Sequence, residues 1–287
     1  MSLNADNTFL IYFNPGNWSE LKKFKFFVDK PYERNHFLNK GLQTSLSHLD
    51  KCENLVKLAN NLIKGIDIDE QELNDRGFTS ATYSKMVAAL FETIVCELFS
   101  VLDGVNLSIF GLFKGVEKIQ RKSVEKMFKR AFKNDYGEPF PKEVNSVLSK
   151  AYHKWYMDLK EMRVEFTHGE VGSVNKVDDR IDYFHTSLSD SNVIHDIVSI
   201  INSHTENVVN LINEIFGYFY SQLEGVTKEI PCGFYQGRVY QRTVGPEVNL
   251  TFNSGKCLSK IWFDENQIFK CPMRTQCGAY ENAGEKA

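Results

Sequence analysis

Between residues 142 and 168 the apolar positions Val144, Leu148, Ala151, Trp155, Leu159, Met162 and Phe166 step by four and by three. That spacing keeps side chains on one stripe of an α-helix and scatters them on a strand. A helix of this length with a single greasy stripe must lay that stripe against other helices, so a bundle is the first expectation. Gly169, Gly172 and Ser173 follow at once, which ends the helix at or just after His168.

Three further segments repeat the pattern. From Ser45, Leu46, Leu49, Cys52, Leu55, Val56, Leu58 and Leu62 recur at near-helical spacing up to Gly65. Residues 80–103 are apolar on most sides, as in a central helix covered by several neighbours, with Glu92 standing inside that surround. Residues 190–223 carry a β-branched stripe through Val193, Ile197, Ile200, Ile201, Val208, Val209, Ile212 and Ile215. Residues 112–133 read as another helix, with Lys118, Arg121, Lys122, Lys126, Lys129 and Arg130 outside its apolar stripe.

The two ends differ in texture. TFLIYF and KFKFFV, separated by the turn signal NPGNWSE, read as two strands of an N-terminal hairpin. Beyond Gly225, short apolar runs alternate with glycine turns, as in a small sheet. The expected organisation is mainly α: an N-terminal aromatic segment over 1–44, a helical bundle over 45–225, and a β-rich, cysteine-containing extension over 226–287. With 42% hydrophobic residues the chain has ample material for a core.

The formal charge of −3 excludes a polyelectrolyte case for the whole molecule, so any nucleic-acid surface must be local. The basic residues of 112–133 are the candidate, either as a path for a phosphate backbone or as an ordinary solvated helix face. No run approaches a bilayer span and no signal peptide is apparent, so a cytoplasmic protein without membrane partners is expected. P-loop, dinucleotide-binding, serine-elbow and paired-histidine metal patterns do not occur. Cys232, Cys257, Cys271 and Cys277 crowd the tail, but their separations form no zinc knuckle. A zinc site and a set of buried free thiols both remain open there, and no resident metal or other cofactor is assigned.

Chemistry concentrates at the end of the long helix, in E-M-R-V-E-F-T-H. Arg163 is permanently charged and its planar fork suits phosphate oxygens, while His168 exchanges protons near neutral pH. Such a pair suits phosphodiester cleavage without a metal: a 2′-hydroxyl attacks the adjacent phosphorus, histidine moves the proton and arginine stabilises charge on the phosphate. Five residues apart on an unbroken helix, however, the two positions face about 140° apart. The alternatives are a surface arginine paired with Glu161 or Glu165 and a polar helix terminus, or a site completed by another surface.

This motif at the end of a long helix, inside an all-helical bundle, resembles the R-x4-6-H signature of the HEPN family. The resemblance implies a bundle of four or five helices and a metal-independent ribonuclease of defence, stress, RNA-processing or toxin–antitoxin systems. It implies a homodimer whose two copies of Arg163 and His168 face one cleft, with RNA as substrate and a protein antitoxin or regulator as a further partner. An acidic residue on an earlier helix orients the arginine in some members, and Glu92 is the candidate for that role; an exposed helix edge is the other reading of Glu92. Two positions depart from the pattern. Val164 stands where a polar residue often follows the arginine, which favours a catalytically inactive binding module as the alternative. Glu170 replaces the tyrosine that some toxins carry, so regulation by modification there does not transfer.

Overall fold

The computed structural model describes residues 10–28, 35–168, 171–185, 193–235, 237–266 and 268–284, with His168 described by its backbone alone. It is mainly α with small antiparallel sheets, divided into two compact units, Arg34–Ile215 and Met1–Glu33 with Phe216–Ala287. Residues 10–28 thus fall in one unit with Phe216–Ala287, whereas 35–44 fall in the bundle unit.

The larger unit is the bundle. It contains α2 (His36–Leu62), α3 (Ile66–Arg76), α4 (Thr82–Phe113), α5 (Val124–Phe132), α6 (Lys142–Ala151) and α7 (Met157–His168). It also holds a three-stranded sheet of β2 (Ser173–Val177), β3 (Arg180–Phe184) and β4 (Val193–Ile194), and α8 (Ile197–Ser221) as far as Ile215. α4 is the central element, and Ile94, Val95, Leu98, Val101, Leu102 and Val105 on it are fully buried. Each such side chain contributes about 1.5–3 kcal/mol through removal from water.

α2 and α4 approach closely because small residues face each other. A Cβ on Gly41 would lie 2.6 Å from the Gly104 carbonyl, and one on Gly104 only 2.4 Å from Ser45 Oγ. Ser45 Oγ donates to the Val101 carbonyl at 3.1 Å, and Asn35 Nδ2 to that of Gly111 at 2.7 Å, so the crossing is tied by side chain to backbone bonds. Asn35 also caps α2 by accepting from Leu38 N at 3.1 Å.

α6 and α7 are joined by a π-helical turn, Tyr152–Tyr156, so the helical path from Lys142 to His168 is continuous, as its periodicity predicts. The wide turn allows both Trp155 and Tyr156 to be buried, and Tyr156 stacks on Phe128 at 4.0 Å. Residues 173–184 form a hairpin, because Val174, Ile181 and Tyr183 are buried on one face of β2 and β3. Ser84 of α4 fastens it: its hydroxyl accepts from Val174 N at 3.0 Å and donates to the Val174 carbonyl.

Residues 112–133 are not one helix. α4 runs on to Phe113, turns follow, and α5 starts at Val124, where the Ser123 side chain accepts from Lys126 N at 3.1 Å. Lys118 sits at φ 71° in the intervening turns. Nor does an N-terminal hairpin form among the described residues. β1 (Leu10–Ile11) pairs with β5, and KFKFFV lies in α1 (Glu20–Val28), which buries Leu21, Phe24, Phe27 and Val28. The alternation of Phe24 and Phe26 mimics a strand, but the buried set follows the helical period.

The second unit is a four-stranded antiparallel sheet ordered β1-β5-β6-β7, with β5 Lys228–Tyr235, β6 Arg238–Val244 and β7 Lys256–Cys257. Short helices α9 (Lys260–Glu265) and α10 (Gly278–Glu281) follow. Its core includes Arg242, 1% exposed, between the rings of Phe13 and Phe252. Among the described residues no helix is long and apolar enough to cross a membrane.

Candidate functional site

Arg163 lies in the penultimate turn of α7, against the face of α4 that carries Cys96, Phe99 and Asp103. Its guanidinium stands 4.7 Å from the centre of the Phe99 ring. Among the described residues it forms no ion pair, so neither Glu161 nor Glu165 claims it. The arginine is half-exposed, with its charge rested on an aromatic face and available to an anion.

The ground around it is electrostatically coupled. Desolvation raises the Asp103 carboxyl above the ordinary carboxylate range although the residue keeps an exposed edge, with Arg163 and then His48 opposing the shift. The Cys96 thiol is raised by burial, against the pull of Arg163 and with help from Glu92 and Glu97. Tyr156 is fully buried and its hydroxyl has no hydrogen-bond partner among the described residues. Burial pushes that phenol up, aided by Glu125, Asp103 and Tyr152, while Arg163 works the other way.

Next to this patch, His48 Nδ1 is hydrogen-bonded to Glu97, which Lys51 reaches at 3.2 Å. Burial raises the Glu97 carboxyl, but the hydrogen bonds from His48 and Lys51 outweigh it and hold the group below its ordinary range. One stretch of bundle surface thus gathers an arginine, a histidine, two carboxylates and a thiol from α2, α4 and α7.

Among the described residues Glu92 makes no ion pair with Arg163, and it is half-buried rather than on an exposed helix edge. Its Oε1 accepts from Gly172 N at 2.8 Å and from the Tyr183 hydroxyl at 2.7 Å, which fixes the chain just after α7 to the central helix. Gly172 must be glycine there, since a Cβ would meet Tyr183 Oη at 2.5 Å and the Phe184 carbonyl at 2.6 Å. The acid close to the arginine is Asp103. Glu92, Cys96, Phe99 and Asp103 step by four, three and four along α4, and that periodicity was the available signal for it.

α7 is helical through His168, so the helix does not end between the two motif residues. The His168 side chain lies outside the described residues. Backbone geometry alone keeps the two positions about 140° apart around one helix, and a site using both needs a second surface.

The six basic residues singled out by sequence do not share one helical face. Lys118, Arg121 and Lys122 lie in the turns before α5, and only Lys126, Lys129 and Arg130 are on it. Arg121 rests over Phe37 at 5.5 Å. All six keep side chains at the surface, with Arg130 half-exposed.

In the second unit, Cys232 is on β5, Cys257 on β7, and Cys271 and Cys277 precede α10, all as free thiols. Arg242 Nη2 is 3.5 Å from Cys277 Sγ. Burial raises the thiols of Cys232, Cys257 and Cys271, as in a small packed core. Among the described residues no three His, Cys, Asp or Glu side chains are placed to hold a metal ion.

No protein-family model, no curated protein and no solved structure matches the chain.

Proposed function

We propose that the chain is a metal-independent endoribonuclease of HEPN type. The observation that carries this reading is the state of Arg163: half-exposed, held over Phe99, outside any ion pair among the described residues, and about one and a half turns before α7 ends at His168. In the reaction the 2′-oxygen of a ribose bonds to the adjacent phosphorus and the bond to the 5′-oxygen breaks, leaving a cyclic phosphate and a free 5′-hydroxyl. His168 takes or returns the proton, and Arg163 neutralises charge on the non-bridging oxygens. The active form is a homodimer, since a two-fold partner supplies what one helix holds apart. A role in defence, stress or toxin–antitoxin control, with a protein antitoxin, belongs to the same reading.

The test is cleavage of a mixed RNA pool by the wild type, Arg163→Ala and His168→Ala in the presence of a chelator. Each substitution should lower the rate by about 10²–10⁴-fold, the usual weight of a general acid–base or charge-stabilising group, with unchanged circular dichroism. A wild type inert on every RNA, or a His168→Ala enzyme as fast as wild type, overturns the reading. One observation favours binding without cleavage: Val164, 39% exposed, puts an apolar side chain where polar support for Arg163 would stand.

A further inference from the structure

The bundle carries a second feature, away from Arg163 in sequence and made by different elements. Between α5 and α6 opens a cleft of about 520 Å³. One wall is α6, where Lys142, Asn145, Ser146, Ser149 and Lys150 share a face at helical spacing. The facing wall includes Phe132, the last residue of α5, which remains 41% exposed although it stacks on Tyr152 at 5.2 Å and meets His153 at 4.2 Å. Asn145 Nδ2 donates to the Asn134 side chain at 3.2 Å and to the Ala131 carbonyl at 3.3 Å, which ties the two walls together.

Charge marks the region. From Lys114 to Lys154 there are eleven Lys or Arg against five Asp or Glu, in a chain whose formal charge is −3. Among the described residues neither Lys142 nor Lys150 is in an ion pair. Glu138 lines the same cleft, so the two lysines leave it one positive charge in excess. An exposed aromatic face beside these cations is the combination that single-stranded nucleic acid needs: stacking for a base, which any base satisfies, and point charges for phosphates. Lys142 and Lys150 lie eight residues apart, about 12 Å along the helix, so they meet different phosphates of one strand more readily than the single phosphate of a nucleotide.

We propose that the α5–α6 cleft is a binding site for single-stranded RNA, with one base stacked on Phe132 and the flanking phosphates held by Lys142 and Lys150. It rests on the endoribonuclease reading only in the choice of RNA as the polyanion, and cleavage plays no part in its test. The measurement is fluorescence anisotropy of a labelled single strand of about 12 nucleotides, titrated with the full chain carrying Arg163→Ala so that cleavage does not intervene. Binding by that protein is expected whether or not the wild type cuts RNA, which separates the two proposals.

Lys142→Glu with Lys150→Glu should weaken binding by at least about tenfold and flatten the salt dependence by one to two phosphate contacts. Phe132→Leu, which keeps the apolar packing on Tyr152, should weaken it by about fivefold or more with the salt dependence unchanged. A duplex of the same length and a mononucleotide should both bind less well. Single-strand affinity unaltered in folded variants, a duplex bound as tightly as the single strand, or a mononucleotide bound as tightly as the oligomer each overturns the proposal.

Discussion

The guanidinium of Arg163 stands 4.7 Å from the centre of the Phe99 ring. Phe99 is 9% exposed, so the ring is a fixed platform and the arginine inherits its position. An arginine held in this way loses less side-chain freedom when it grips an anion, as the proposed phosphate-binding role requires.

Replacing Phe99 by leucine keeps most of the apolar volume and removes the aromatic face. The variant should lose about 1 kcal/mol in urea unfolding from imperfect repacking. A double-mutant cycle with Arg163→Met should report a coupling of about 0.5–1 kcal/mol for the cation on the ring. A coupling indistinguishable from zero would mean that Arg163 is placed by something other than Phe99.

The α2–α4 crossing makes a prediction whose sign is informative. Glycine to alanine in an ordinary helix position gains up to about 1 kcal/mol. At Gly104 the new Cβ would stand 2.4 Å from Ser45 Oγ, 2.7 Å from Ser45 N and 2.8 Å from the Gly41 carbonyl, two of them backbone atoms that cannot rotate away. Gly104→Ala should therefore destabilise the bundle by about 1–3 kcal/mol. Gly217→Ala in α8, whose Cβ would meet nothing closer than 3.5 Å, should be neutral or stabilising. Chemical denaturation of both variants decides it, and a stabilised Gly104→Ala would refute the close crossing.

These helices show what a single sequence discloses. The path from Lys142 to His168 is legible because its apolar residues keep the period of an element that buries one stripe. α1 is misread because Phe24 and Phe26 alternate like a strand over so short a run that the helical set of Leu21, Phe24, Phe27 and Val28 is not distinctive. Arg163 is visible as a residue type in a motif, whereas Phe99 and Asp103 become its neighbours only through the α4–α7 contact. Glu92 is conspicuous in the sequence as an acid in an apolar helix, yet its partners, Gly172 and Tyr183, lie 80 and 91 residues away. A long-range hydrogen bond leaves no periodic trace.

Three donors converge on Asp182 of β3, which is 3% exposed. Arg180 Nε reaches its Oδ1 at 3.0 Å, His195 Nδ1 its Oδ2 at 2.8 Å, and the Asp196 backbone N its Oδ1 at 3.1 Å. The third bond supports Asp196 at φ 49°, the left-handed position just before α8. Burial raises the Asp182 carboxyl, but the hydrogen bonds from His195, Asp196 and Arg180 prevail and hold it below the ordinary range. A carboxyl whose folded value lies below its unfolded value stabilises the fold fully at pH above the unfolded value of about 3.9, and that contribution disappears as pH falls through the folded value. Asp182→Asn retains an acceptor for Asp196 N and removes the charge. The stability difference between wild type and Asp182→Asn should be largest above about pH 5 and shrink steadily below about pH 4. Urea midpoints of the two proteins at matched pH measure that difference directly, so the acid sensitivity of every other carboxylate cancels. A difference that stays constant from neutral pH into the acid range would show that Asp182 holds the β3–α8 junction by shape alone.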